Sequence, residues 1–142
     1  MKTTFVNTHA IERKWFILDA TDLVLGRFST KIADILRGKN KTYFNPAHDN
    51  GDFVIIINAD KIKLTGRKWD QKMYYSHSRF PGGLKEEAAA KRIGRKPEKM
   101  VFDAIAGMIP RNRIKKDILL KLKIYSGNEH PHIAQQPINL ET

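Results

Sequence analysis

Two kinds of apolar spacing organise the first half of the chain. Trp15-Phe16-Ile17-Leu18 is a short continuous run that stops at Asp19-Ala20-Thr21-Asp22. This predicts a buried strand, then a polar cluster suited to a strand end and a helix cap. From there the apolar residues fall at Leu25, Phe28, Ile32, Ile35 and Leu36, which places them on one face of a helix, with Gly38 where a C′ glycine belongs. Asp49-Asn50-Gly51-Asp52 then reads as a turn leading into Phe53-Val54-Ile55-Ile56-Ile57, whose unbroken β-branched character predicts a strand covered on both faces. Strand, helix and strand form a βαβ unit, the building block of a parallel sheet, so the expected class is α/β.

Patterning is coarser beyond that unit. Ile62 and Leu64 alternate with Lys61 and Lys63, Thr65-Gly66 turns the chain, and Met73-Tyr74-Tyr75 suits a strand, so a short hairpin is expected here. Phe80-Pro81-Gly82-Gly83 interrupts, and Leu84 to Ile93, with Glu86, Glu87 and three successive alanines, has strong helix propensity. Pro97 fits the first turn of a further helix with Met100, Val101, Ala104, Ile105 and Met108 as its buried stripe, ending before Pro110. A last helix is expected over about Asn112 to Leu122, with Ile114, Ile118, Leu119 and Leu122 on its core side. No internal repeat or linker divides the chain, so residues 1–142 are expected to form one domain, with 1–13 and 133–142 as extended termini.

Composition sharpens the picture. The 142 residues carry 26 Lys plus Arg against 15 Asp plus Glu, a net charge of +11 and a pI near 10.0, which points to a polyanionic partner. With 41% apolar residues the chain is no disordered basic tail. The absence of cysteine excludes disulfides, thiolate metal sites and a cysteine nucleophile. No apolar leader opens the sequence and its longest apolar run, Phe53 to Ile57, is far short of a membrane span, so a cytoplasmic protein without membrane association is expected. Without a secretory signal, Asn40-Lys41-Thr42 is a chance match to the glycosylation pattern.

The charge is concentrated. Arg95, Lys96, Lys99, Arg111, Arg113, Lys115, Lys116, Lys121 and Lys123 are set against only Glu98, Asp103 and Asp117. A solvated helix ordinarily pairs its bases with acids at i±4, so an excess of this kind favours binding. Two more basic sets, Arg37-Gly38-Lys39-Asn40-Lys41 and Gly66-Arg67-Lys68, sit at a helix end and a turn where backbone can approach phosphates closely. Scattered over several elements, with no zinc-finger spacing, basic zipper or RNP-type aromatic motif, these bases suit structured RNA better than a DNA groove. Tyr43-Phe44 and Tyr74-Tyr75 lie near bases and could stack on unpaired nucleotides, although such residues are more often core or rim.

Catalytic patterns are weak. Neither the Gly-x-x-x-x-Gly-Lys-Ser/Thr nor the Gly-x-Gly-x-x-Gly loop occurs. Ser76-His77-Ser78 sets hydroxyls beside an imidazole, but neighbours on a strand point to opposite faces. His130 and His132, with Glu129 nearby, lack a defined further metal ligand, and Asp49 to Asp52 puts Gly51 and Phe53 where a calcium loop needs oxygens. The competing hypothesis from another class is a small nucleotide- or nucleic-acid-processing enzyme using His77, His130 or His132.

Nearly the whole chain resembles a known family. The matching residues are Trp15, Asp19-Ala20-Thr21, Leu25-Gly26-Arg27, Leu36-Arg37-Gly38-Lys39, Gly51-Asp52-Phe53-Val54, Asn58-Ala59, Thr65-Gly66, Pro81-Gly82-Gly83, Gly107-Met108-Ile109-Pro110 and Leu122 to His132. The last block joins Gly127-Asn128-Glu129 to His130-Pro131-His132 and then to Ala134-Gln135-Gln136-Pro137. In this order they resemble the bacterial-type large-subunit ribosomal protein L thirteen family. The resemblance implies a three-layer α/β/α domain with a small, mostly parallel sheet and peripheral basic helices. It also implies binding to large-subunit ribosomal RNA, early action in subunit assembly and contact with neighbouring ribosomal proteins. It implies no catalytic residue, cofactor, metal or small-molecule substrate. RNA contact carries over onto Arg111, Arg113, Lys115, Lys116, Lys121, Lys123, His130 and His132. The charge pattern adds Arg37, Lys39, Lys41, Arg67 and Lys68.

Overall fold

In the computed structural model, which describes residues 11–140, β1 (Trp15–Asp19), α1 (Leu25–Arg37) and β2 (Phe53–Ile57) form the expected βαβ unit. β1 and β2 pair in parallel with Trp15 opposite Phe53 and Leu18 opposite Ile56. Two more strands complete a four-stranded sheet: β5 (Leu122–Ile124) beside β2 and β6 (Ile138–Asn139) beside β1, both parallel. The order β5-β2-β1-β6 leaves the most apolar strand interior, which is why β2 has no polar alternation.

The pleat sends Leu18, Val54, Ile56 and Leu122 to one face, where they form a single cluster with α1 and with α4 (Pro97–Met108). Ile32 and Leu36 of α1 are fully buried in it, each contributing about 1.5–3 kcal/mol by leaving water. The opposite face carries the buried Ile17 and Ile55, and Trp15 stacked on Phe53 with ring centroids 4.3 Å apart. Over Trp15 lies the His132 ring, and the helical turn that follows it is the short Ile133–Gln135. The α/β class is as expected, with most of the helical mass on one side.

The ends of α1 obey different rules. Gly38 takes φ +73°, its N–H donating to the Ile35 carbonyl and that of Lys39 to the Asp34 carbonyl, the paired bonds of a Schellman stop. A Cβ there would meet the Asn50 carbonyl oxygen at 2.6 Å. The start has no side-chain cap, contrary to the role expected of Asp19 to Asp22. The Leu25 N–H is instead satisfied by the Lys63 carbonyl at 2.9 Å, while Asp19 accepts bonds from the Thr21 amide and hydroxyl and from Asn58, closing its own turn. Lys63 is thereby held in a parallel bridge to Val24 and is no part of a hairpin.

The hairpin that does form joins β3 (Met73–His77) to β4 (Leu84–Ala88), antiparallel, with Tyr75 opposite Glu86. Helix propensity runs from Leu84 to Ile93, but over Leu84–Ala88 ladder bonds to β3 override it, and the helix, α3 (Ala89–Arg95), starts only after the pairing ends. A single-turn helix, α2 (Lys68–Gln71), precedes β3. On α4, Met100, Val101 and Ile105 are buried as anticipated, but Met108 is exposed at the helix end. The last helix, α5 (Lys115–Leu120), is shorter than its periodicity suggested, because Leu122 leaves the helical path to pair with Val54.

Candidate nucleic-acid interface

Segments far apart in sequence meet at the C-terminal end of α1. Arg37, Phe44, Asn45, His48, Pro110 and Asn112 line one cleft, floored by Ile118. The Arg37 guanidinium lies 5.7 Å from the centre of the Phe44 ring, a cation–π contact that steadies its direction. Asn112 shapes the other wall: its N–H donates to the Pro110 carbonyl, and its own carbonyl and Oδ1 both accept from the Lys115 N–H. This local cap, not singled out in the sequence, turns the chain so that Arg111 and Arg113 stand exposed beside the cleft, followed by half-buried Lys115 and exposed Lys116. None of these four has an ion-pair partner among the described residues. Lys39 makes only a 3.6 Å exposed pair with Asp34, an interaction worth about 0–1 kcal/mol that phosphate can displace.

Two expected RNA contacts belong elsewhere. Lys121 is 4% exposed, its ammonium bonded to the Asp49 carboxylate and, at 3.2 Å, to the Leu36 carbonyl. Burial pushes its pKa down, against the pull of Asp49. Lys41 is held 2.6 Å from the buried Asp52, which also accepts the Lys14 N–H. The reason is common to both: the Asp49–Asp52 turn, read from sequence as a connector, is an internal counter-charge. Gly51 lets it pass directly beneath Leu36, where any Cβ would run into the Leu36 carbonyl.

The remaining candidates lie apart from the cleft. Arg67 and Lys68 are exposed at α2, which packs against α3 and β4, and the Lys68 ammonium bonds the Thr65 hydroxyl at 3.2 Å. Lys123, at the Ile55 register, and His130 and His132 belong to the other face of the sheet. There His132 Nε2 is 2.8 Å from the Tyr125 hydroxyl and its ring is tilted on Trp15. Desolvation, with the charge of Lys123 and the nearby His130, lowers its pKa, so it is a neutral packing imidazole at neutral pH. Among the aromatics, Phe44 and Tyr74 are already covered by Arg37 and Arg92, whereas Tyr75 is largely exposed.

Among the described residues the catalytic alternatives find no assembled group. His77 Nδ1 accepts the Arg79 N–H at 2.9 Å, closing the hairpin turn, and the strand sends Ser76 to the other face. Among the described residues no three of His, Cys, Asp or Glu come together as metal ligands, and no helix is long and apolar enough to cross a membrane.

Comparison with known proteins points to one family. Residues 13–131 match the family model for Ribosomal protein L13. Large ribosomal subunit protein uL13 of Pelobacter propionicus is 53% identical over 137 residues, covering 96% of each chain. Its counterpart in Aquifex aeolicus is 52% identical over 141 residues, covering 99% of this chain and 98% of the relative, and that of Nitratidesulfovibrio vulgaris is 51% identical over the same span. With a βαβ core, a cationic cleft and a match running through both, the chain belongs to the ribosomal protein L13 family.

Proposed function

We propose that this protein is a structural constituent of the large ribosomal subunit that binds large-subunit ribosomal RNA, acts early in subunit assembly and meets neighbouring ribosomal proteins there. The observation that carries the RNA contact is the cleft lined by Arg37 and Asn112, whose chain neighbours Lys39, Arg111, Arg113, Lys115 and Lys116 add positive charge, the last four without an ion-pair partner among the described residues. Cations held at fixed separations by a rigid core release counterions when they meet phosphates and impose one arrangement on the RNA. No bond is made or broken; the α/β core acts as a spacer between charges. Arg67, Lys68, Lys123 and His130 supply further contacts on other sides of the domain, and Lys41, Lys121 and His132 serve the fold.

The test is binding of the purified protein to purified large-subunit RNA at about 0.2 M salt, where non-specific contacts are weak, with excess transfer RNA and duplex DNA as competitors. Binding that survives both competitors is the expected result. Equal displacement by either would reduce the interaction to generic basicity and refute the reading.

A further inference from the structure

Residues 39–48 supply Phe44, Asn45, Pro46 and His48 to the cleft, yet this segment holds neither strand nor helix. The backbone bonds it makes close turns: the Lys41 N–H donates to the Gly38 carbonyl, that of Phe44 to the Lys41 carbonyl and that of His48 to the Asn45 carbonyl. What ties the segment to the core is a pair of side chains from the Asp49–Asp52 turn. Asn50, fully buried, donates from Nδ2 to the Tyr43 carbonyl at 2.9 Å, and the Asp52 carboxylate holds the Lys41 ammonium at 2.6 Å. The same turn reaches the opposite side of the cleft, where Asp49 bonds the ammonium of Lys121, the residue that closes α5. Four residues therefore brace both the strip that carries Phe44 and the helix that carries Lys115 and Lys116.

Asn50 differs from the two aspartates in carrying no charge, and its Oδ1 is buried with no hydrogen-bond partner among the described residues. A buried amide whose oxygen has lost water and gained nothing is a poor source of stability. What it does supply is direction: one bond fixes the Tyr43 carbonyl and with it the neighbouring Phe44 ring, which lies 5.7 Å from the Arg37 guanidinium.

We infer that Asn50 is a positioning residue for the cleft, its bond to Tyr43 holding residues 39–48 so that Arg37 faces Asn112 before RNA arrives. This rests on the RNA-binding function proposed above. Asn50 is itself out of reach of RNA, and its effect passes through Tyr43 and Phe44. A site whose competent arrangement is only partly populated binds more weakly by that fraction, whatever its charge. Loss of the Asn50 bond therefore lowers affinity while leaving every cation, and the counterions released on binding, in place.

The experiment compares full-length wild type, Asn50→Leu and Asn50→Ala on purified large-subunit RNA with transfer RNA as competitor, well below the melting temperature. Affinity is measured at several salt concentrations, and amide hydrogen exchange is followed over residues 39–48 of the free protein. Leucine keeps the branch at Cγ and removes the bond; alanine removes the bond and cannot overfill the site, so it decides the matter if the leucine variant melts early. Both variants are expected to bind roughly 3–10-fold more weakly than wild type. Their slope of log affinity against log salt should stay within about 0.3 of wild type, and exchange over 39–48 should be faster. Wild-type affinity in a folded variant would overturn the inference and make Asn50 a packing residue. Weakened binding with unchanged exchange over 39–48, or with a slope lowered by about 0.7–0.9 as for a lost phosphate contact, would overturn it too. Failure of the wild type to hold large-subunit RNA against the competitor would instead remove the RNA function, and the exchange comparison would still read whether Asn50 fixes the segment.

Discussion

Replacing Lys121 separates a fold-holding charge from an RNA-binding one. In Lys121→Met the Asp49 carboxylate loses its buried partner and the Leu36 carbonyl loses a donor. Breaking a buried pair by removing one partner costs about 3–5 kcal/mol, because the other charge stays desolvated. Asp49 is partly compensated by Arg13, 3.6 Å away, and methionine refills most of the lysine stem's volume, so the lower figure of about 3 kcal/mol applies. Unfolding entropy scales to about 0.3 kcal/mol per degree for a chain of this size, and the melting temperature should therefore fall by about 10 °C. The assay is thermal unfolding by circular dichroism, paired with RNA titration at several salt concentrations below the transition. Asp49→Asn combined with Lys121→Met should recover part of the loss, since it removes the stranded charge. An unchanged melting temperature with a salt slope reduced by about 1 would refute the reasoning and return Lys121 to the RNA surface.

Replacing Arg111, Arg113 and Lys116 by glutamine should weaken RNA binding and lower the salt slope by about 2, with melting shifted by less than about 2 °C, because all three are exposed. Gly51→Ala should destabilise the fold by more than about 3 kcal/mol, read as a lowered urea midpoint, because its methyl group cannot coexist with the Leu36 carbonyl; Gly26→Ala, where a Cβ meets nothing, should not. For His132 the folded pKa lies below the ordinary 6.5, so the unfolded chain binds the extra proton first. Its contribution is complete above about pH 6.5 and is lost as pH falls through the folded value; urea unfolding across pH 7 to 5 should show that loss, and His132→Gln should flatten it.

Elements whose signal is local were readable in the chain. The run Phe53–Ile57, the helical spacing of Leu25 to Leu36 and the glycine at position 38 each report their own backbone state, because burial on a strand or helix repeats at a period set by that element alone. The surplus of positive charge likewise pointed to a polyanion, wherever the bases ended up. Leu84 to Ala88 shows the boundary: helix-prone residues became a strand because β3 offered a ladder, and no period within the segment encodes that partner. The division of the bases is the same kind of fact. Lys116 and Lys121 look alike in sequence, yet Lys121 meets an aspartate 72 residues away while Lys116 faces solvent. Charge and periodicity are properties of residues and near neighbours; which charge is neutralised internally and which is left to bind depends on long-range pairing, and that is settled only when the chain closes on itself.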